Sequence, residues 1–223
     1  MTAAGIRRPS PGAAPAQGLI RPAAGLLRTA WLYVLSRRIP AALGLIVATA
    51  ALLWAAMYWR WNIVGGAAAQ QFIPLTTEAT AAAVIATTTH GPFGETERAT
   101  GRWLPYLRLG MIVALTAAGV GALAAGAAGG HVPGGALVML RNVAGLTGTG
   151  LFVAAAIGGA FAWTGPLAYL IVTEGAFAGS WTTPWIWPTR PPHDLGGALC
   201  AAGVLAAGTI LITVRGERDH AAS

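Results

Sequence analysis

The stretch Leu109–Gly129, LGMIVALTAAGVGALAAGAAG, contains no charged residue and a single hydroxyl, Thr116. A helix needs ~20 consecutive, mostly apolar residues to cross the hydrocarbon of a bilayer. This run supplies them without interruption and so predicts a membrane span. Comparable stretches lie on either side. Ala41 to Trp59 ends in the Trp59-Arg60-Trp61 cluster expected at a membrane interface. A weaker stretch, from about Gln70 to Thr89, holds Gln70, Gln71 and Glu78. Downstream, an almost continuous apolar region from Ala136 to Ala178 is too long for one helix, and Trp163-Thr164-Gly165-Pro166 is its natural break. The last stretch is Leu195 to Val214. The expected fold class is therefore all-α: a polytopic membrane protein with six transmembrane helices.

Composition agrees. Of 223 residues, 55% are hydrophobic and 9% charged, against roughly 25% charged in an ordinary soluble domain. One cysteine, Cys200, excludes an intramolecular disulfide and a cysteine-rich metal framework. All fourteen basic residues are arginine. The chain therefore lacks the lysine of a P-loop, of a Schiff base or of a lysine general base.

The arginines orient the spans. With the N-terminus inside, the cytoplasmic segments hold Arg7, Arg8, Arg21, Arg28, Arg37, Arg38, Arg98, Arg102, Arg108, Arg215 and Arg218, which is eleven of the fourteen. Arg60, Arg141 and Arg190 are the exceptions. This positive-inside bias predicts a multi-pass protein of the cell (plasma) membrane with both termini cytoplasmic. It also accounts for the formal charge of +7 without a nucleic-acid partner, because the charges are spread over interfacial loops.

Before the first span, residues 1–18 are rich in Ala, Pro and Gly and are expected to form a disordered tail. In residues 19–39, Leu26, Leu27, Ala30, Trp31, Val34 and Leu35 recur at helical spacing beside Arg28, Arg37 and Arg38. That pattern predicts an amphipathic helix lying in the membrane interface. An organellar transit peptide is the rival reading, since the first 77 residues contain no acid. A secretory signal peptide is not expected, because the first apolar run begins late and further spans follow. Residues 40–215 make up the six-helix transmembrane domain, and 216–223 a cytoplasmic C-terminal tail.

No catalytic constellation is visible, and neither a metal nor a cofactor is expected. His90, His131, His193 and His220 are isolated from one another, without metal-ligand spacing. No Walker sequence and no GxSxG is present, and the Gly-Leu-Thr-Gly-Thr-Gly run, 145–150, lies in an apolar span. Glycine there points to helix packing: Gly150, Ala154 and Gly158 are spaced by four and share a helical face, as do Gly121, Ala125 and Gly129, and Gly203 and Ala207. Thr147 and Thr149 are candidates for hydrogen bonds between helices.

Two carboxylates stand out. Glu78 and Glu174 fall within spans, where a charge costs ~2.5–3.5 kcal/mol on insertion scales and normally faces the bundle interior or a watery cavity. With Gln71 and Thr77 they are the candidate lining of a translocation path. The alternative is that each is hydrated at the outer interface or pairs with Arg60, Arg141 or Arg190. The outer loop from Trp181 to Pro188 holds three of the nine tryptophans, which suits an interfacial aromatic belt or a lid over an external opening. The inner loop from His90 to Arg108 mixes both charge signs with turn formers. It is either a solvated connection or a docking site for a cytoplasmic partner.

A basic amphipathic helix, six spans with both ends inside and a short charged inner loop are together similar to type-2 permease subunits of ATP-binding-cassette exporters. Three stretches resemble the small integral membrane proteins of high-GC actinobacteria grouped with such permeases: His90-Gly-Pro-Phe-Gly-Glu-Thr-Glu-Arg98, Leu104-Pro-Tyr-Leu-Arg-Leu109 and Leu140-Arg-Asn-Val-Ala-Gly-Leu-Thr-Gly148. The resemblance implies half of a homo- or heterodimeric translocation unit. A separate cytoplasmic ATP-binding subunit would dock on the inner loop, through Gly91, Pro92, Phe93, Glu95, Glu97 and Arg98. Together they would move a lipophilic or peptide-like substrate outward. Two other readings stand beside it: a non-transporting membrane binding or immunity protein, and a carrier driven by proton movement through Glu78 or Glu174.

Overall fold

The computed structural model describes residues 35, 38–59, 66–89, 104–128 and 134–215. Among these residues there are six α-helices and no strand: α1 (Ile39–Tyr58), α2 (Gly66–Thr87), α3 (Leu104–Ala127), α4 (Gly135–Ala156), α5 (Thr164–Ala178) and α6 (Leu195–Arg215). Short 3-10 turns lie at Gly159–Phe161 and Trp187–Thr189. A segment in hydrocarbon must satisfy every backbone group internally, and a helix does so within one segment.

Four helices are long and apolar enough to cross a membrane: α1, the Tyr106–Ala127 part of α3, α4 and α6. The chain is thus an all-helical, membrane-embedded protein. The other two helices expected to span are different in kind. α5 has 15 residues, so it is about 22 Å long at 1.5 Å per residue and shorter than a hydrocarbon core of ~30 Å. α2 has 22 residues, but Gln70, Gln71 and Glu78 dilute its apolar content and Pro74 lies within it.

Helix boundaries follow backbone chemistry. Arg38, with φ of 54°, turns the chain into α1, and Pro40 occupies the first turn, where no intrahelical N–H is needed. The apolar region after Ala136 breaks earlier than the proline suggests. α4 ends at Ala156, and Gly158 adopts φ 131°, ψ 152°, a conformation that L side chains rarely take. Pro166 is instead the third residue of α5. A first-turn proline removes an N–H that has no helical partner in any case, so it opens the helix rather than ending one.

α4 is the hub, packing on α2, α3, α5 and α6, while α1 lies against α2 and α3. Outward-facing Val47, Leu52, Ile171, Leu199 and Val214 are 62% to 77% exposed. In water such a belt would favour aggregation; in a bilayer it faces lipid.

Close helix contacts are made by a set of glycines that only partly overlaps the one that spacing selects. A Cβ on Gly148 would lie 2.5 Å from the Leu205 backbone nitrogen, and one on Gly208 2.5 Å from the Gly148 carbonyl, so these two residues let α4 and α6 touch backbone to backbone. On α3 the tight position is Gly126, against the Ala50 carbonyl of α1 at 2.5 Å. Gly121 and Gly203, by contrast, have nothing within 4 Å. Gly150 does face a close neighbour, with Ala86 of α2 2.5 Å from the position of a Cβ, and Ala154 is fully buried. Gly158 does not continue their face, because the helix has already ended. The hydroxyl of Thr149 bonds within its own helix, to Leu146, and the buried hydroxyl of Thr147 has no partner.

The tail 1–18, the interfacial helix 19–39 except for its last residues, the inner-loop positions Gly91, Pro92, Phe93, Glu95, Glu97 and Arg98, and the C-terminal tail 216–223 lie outside the described residues.

Candidate functional site

Glu78 sits near the middle of α2 and is 1% exposed. Leu75 and Ala82, one turn away on either side, and the adjacent Ala79 are packed with Leu146 and Leu170, so the carboxylate lies beside an apolar layer. It meets one polar partner across the helix interface: Asn142 of α4 donates from Nδ2 to Oε2 at 2.8 Å. Asn142 is itself buried, and its Oδ1 accepts no hydrogen bond.

Above this pair lies a partly open cleft of about 290 Å³. α2 contributes Gln71, Pro74, Leu75 and Glu78, α4 contributes Val138 and Asn142, and Phe177 comes from α5. The remaining wall is the chain segment Pro188 to Pro192 between α5 and α6. The cleft therefore lies at the end of the bundle shared by the start of α2, the start of α4 and the end of α5. Asn142 is seven residues into α4, which puts the pair about 10 Å below that end.

The segment from Ser180 to Asp194 forms a strap held across the bundle from several directions. Arg141 of α4 donates from Nη1 to the Pro191 carbonyl at 2.8 Å and from Nη2 to the Arg190 carbonyl at 3.0 Å. Arg190 reaches the Thr182 carbonyl at 2.6 Å and Asp194 at 2.7 Å. Asp194 also accepts from the Gly197 backbone N–H at 2.6 Å, capping the first turn of α6. The Arg190 guanidinium, followed by the Gly197 N–H, pulls the Asp194 carboxyl down to about 2 from the ordinary 3.8. The same contact with Asp194 raises the Arg190 guanidinium. In the middle of the strap, Trp187 is 2% exposed and stacks on Tyr169 with ring centroids 4.3 Å apart, while the Tyr169 hydroxyl donates to the Trp185 carbonyl at 2.6 Å. The indole lies against Gly145, the one residue type that leaves room for it there.

Of the residues singled out from sequence, Glu78 and Gln71 line the cleft together. Thr77 does not; its hydroxyl is turned to the Pro74 carbonyl at 2.7 Å. Glu174 lies on α5 outside the lining, half-buried, with Oε1 unpartnered. Glu78 is hydrogen-bonded to Asn142, while Arg141 and Arg190 bond to the strap; Arg60 is outside the described residues. The three strap tryptophans divide: Trp181 and Trp185 are about half exposed, as an interfacial belt requires, and Trp187 is core. Sequence reasoning missed Asn142 and the anchoring role of Arg141. The available signal was the dipeptide Arg141-Asn142 inside an otherwise apolar run, where two adjacent polar residues need partners.

Among the described residues no group of three or more His, Cys, Asp or Glu is placed to hold a metal ion. No family model, curated protein or solved structure matches the chain.

Proposed function

We propose that the chain is an integral permease subunit of the cell membrane, an exporter component that moves a lipophilic or peptide-like substrate and draws its energy from a separate ATP-binding subunit. The observation that carries the transport reading is the Glu78–Asn142 pair at the base of a cleft, inside a bundle whose outer surface is apolar. A buried carboxylate in a membrane domain is expensive and faces a pathway or a partner by default. Here it faces both.

On this reading all six helices cross the bilayer, and the two least apolar ones have a reason to be so. α2 packs on α1, α4 and α5, so its glutamate meets protein rather than lipid, while Gln71 opens on the cleft. α5 is completed at its end by the strap, whose exposed Trp181 and Trp185 sit at interface depth. The arginine bias favours an external strap and cleft mouth with both termini inside. The ATPase would dock on the inner loop through Gly91 to Arg98, and two permease chains, identical or homologous, would share the pathway. With no lysine in the sequence, the chain cannot itself supply a P-loop.

Affinity purification of the full chain from its native membrane tests this. A permease subunit brings down a protein with a GxxxxGK(S/T) sequence whose ATP turnover rises when substrate is added, and Glu78→Gln lowers that stimulation. Recovery of the chain alone, with no ATPase activity under any condition, counts against it. The second reading, a non-transporting membrane binding protein, draws on the strap: its hydrogen bonds hold the cleft mouth in one arrangement, as a static binding site would. Such a protein would retain ligand but show no turnover and no flux in vesicles.

A further inference from the structure

The strap is bonded more to itself than to the bundle. Its two limbs are tied together by Arg190, which reaches the Thr182 carbonyl, and by the Thr189 hydroxyl, which donates to the Trp181 carbonyl at 2.9 Å. Pro184, Pro188, Pro191 and Pro192 stiffen it, since each fixes its own φ. Between its two ends, the bundle holds it by three hydrogen bonds among the described residues, two from Arg141 and one from the Tyr169 hydroxyl, and by the seating of Ile186 and Trp187. The fit beneath is incomplete. Arg141 Nε, Trp187 Nε1 and Arg190 Nε are closed off from solvent with no acceptor. Native interiors leave few buried donors unpaired, and each exception costs the state that contains it. All three belong to the strap or to its main anchor, so lifting the strap gives each of them water. The seated arrangement is thus penalised at the same place where its anchors favour it.

The cleft gives that movement a use. Its volume of about 290 Å³ is at the small end of ligand sites, which run to about 1,000 Å³. A larger lipophilic or peptide-like molecule reaches Glu78 only if a wall moves. Three of the walls, α2, α4 and α5, are helices packed on one another, and the fourth is the strap, from Pro188 to Pro192. We infer that the strap is a lid: it pivots at Ser180, whose φ is 53°, and at Asp194 on the first turn of α6, withdraws Trp187 from its seat against Gly145, and opens the cleft to substrate. Local opening is drawn from the least anchored parts of a fold. This inference rests on the reading of the cleft as the substrate site and adds the step by which substrate enters it.

The test is solvent exchange of the Trp187 indole N–H, followed by NMR on the full chain in detergent with isotope-labelled tryptophan, its signal identified by loss in Trp187→Phe. A lid exposes that N–H without unfolding the helices. It should therefore exchange faster than the Leu146 and Thr147 amides, in the middle of α4, by roughly tenfold or more. Equal rates in the wild-type chain overturn the proposal, because the indole would then reach water only when the bundle unfolds. A second arm locks the strap. A Cβ on Gly196 would lie 3.7 Å from the Pro184 Cβ, within the range that a disulfide spans, about 3.5–4.5 Å. With Asp194 already capping α6, a bond there pins the strap on both sides of Trp187. In a Cys200→Ala chain carrying Pro184→Cys and Gly196→Cys, oxidation should slow the indole exchange by roughly tenfold or more relative to the reduced form, and leave the α4 amides unchanged. Exchange that ignores the disulfide overturns the proposal, in favour of water entering past a fixed strap. If the indole opens but no ATPase partner or flux is found, the permease reading fails and the lid stands. If substrate is transported as fast with the disulfide closed as with it reduced, only the lid fails.

Discussion

At the scale of single residues, the hydrogen bonds of Glu78 and Asp194 make separate predictions, one for the bundle and one for the strap. Asn142→Leu removes the one side chain among the described residues that donates to Glu78 and leaves that group buried, which should destabilise the bundle by about 1–3 kcal/mol. Glu78→Gln should have a smaller effect, since an amide can exchange hydrogen bonds with Asn142. Unfolding in mixed micelles measures both, and an Asn142→Leu protein as stable as the wild type would remove the pair from any structural role. Asp194 acts at the strap. Its folded pKa, about 2, is below the ordinary 3.8, so the stability it contributes is fully present above the unfolded value and declines as pH falls from there through the folded one. The strap should hold its arrangement at pH 5 and loosen as the pH approaches about 2, reported by loss of the near-UV circular dichroism of the Tyr169–Trp187 stack. Asp194→Asn should weaken the strap at pH 5 and flatten that dependence. Glu78 was legible in the sequence because a carboxylate in an apolar helix is conspicuous on its own. Asn142 was not, because its importance depends on the register of two helices 64 residues apart, and spacing along one helix carries no information about the other.

At the scale of helices, the same limit explains the glycines. The chain has 31 of them, so stripes of small residues at four-residue intervals arise on several faces of one helix, and only packing decides which face is inward. Gly148 meets the backbone of Leu205 and Gly208 that of Gly148, whereas Gly203, one face away on α6, has open space. Gly148→Val should therefore destabilise by about 1–3 kcal/mol through overpacking, while Gly203→Val changes stability by no more than about 0.5 kcal/mol. Unfolding of the two variants side by side separates a packing glycine from a patterned one; equal effects would contradict the α4–α6 contact. The break at Gly158 teaches a related lesson about proline. Its position relative to the nearest helix start, rather than its presence, determines whether it ends a helix or opens one. The strap depends on an element that the sequence placed on the wrong side of the balance, since Arg141 looks like a misplaced outer charge until its two carbonyl partners are known. Arg141→Ala should accelerate hydrogen exchange at the Thr189 and Arg190 amides, with little change in the central turns of α6. Unchanged exchange there would mean that the Trp187 insertion alone fixes the strap.

At the scale of the molecule, membrane embedding and helical class were legible from composition, because they depend on sums over many residues rather than on contacts. The number of crossings was less so, and the two possible counts share more than they appear to. If only α1, α3, α4 and α6 crossed, the number would still be even: both termini would lie on one side and the strap on the other, as with six. A reporter at the C-terminus cannot distinguish them. The loops on either side of α3 can. With six crossings, residues 90–103 are cytoplasmic and 129–133 external; with four, the two exchange sides. Four crossings would also carry Arg98, Arg102 and Arg108 to the outside, against the positive-inside bias, and would leave Glu78 and Asn142 joined although α2 was not inserted beside α4. The expected outcome is therefore six. In a chain with Cys200 replaced by alanine, a cysteine introduced at Glu95 should resist a membrane-impermeant maleimide added to intact cells, and one at His131 should react. The reverse labelling pattern would establish four crossings. It would also withdraw the docking of a cytoplasmic ATPase on Gly91 to Arg98, because that loop would then be on the side of the membrane where no ATP is supplied.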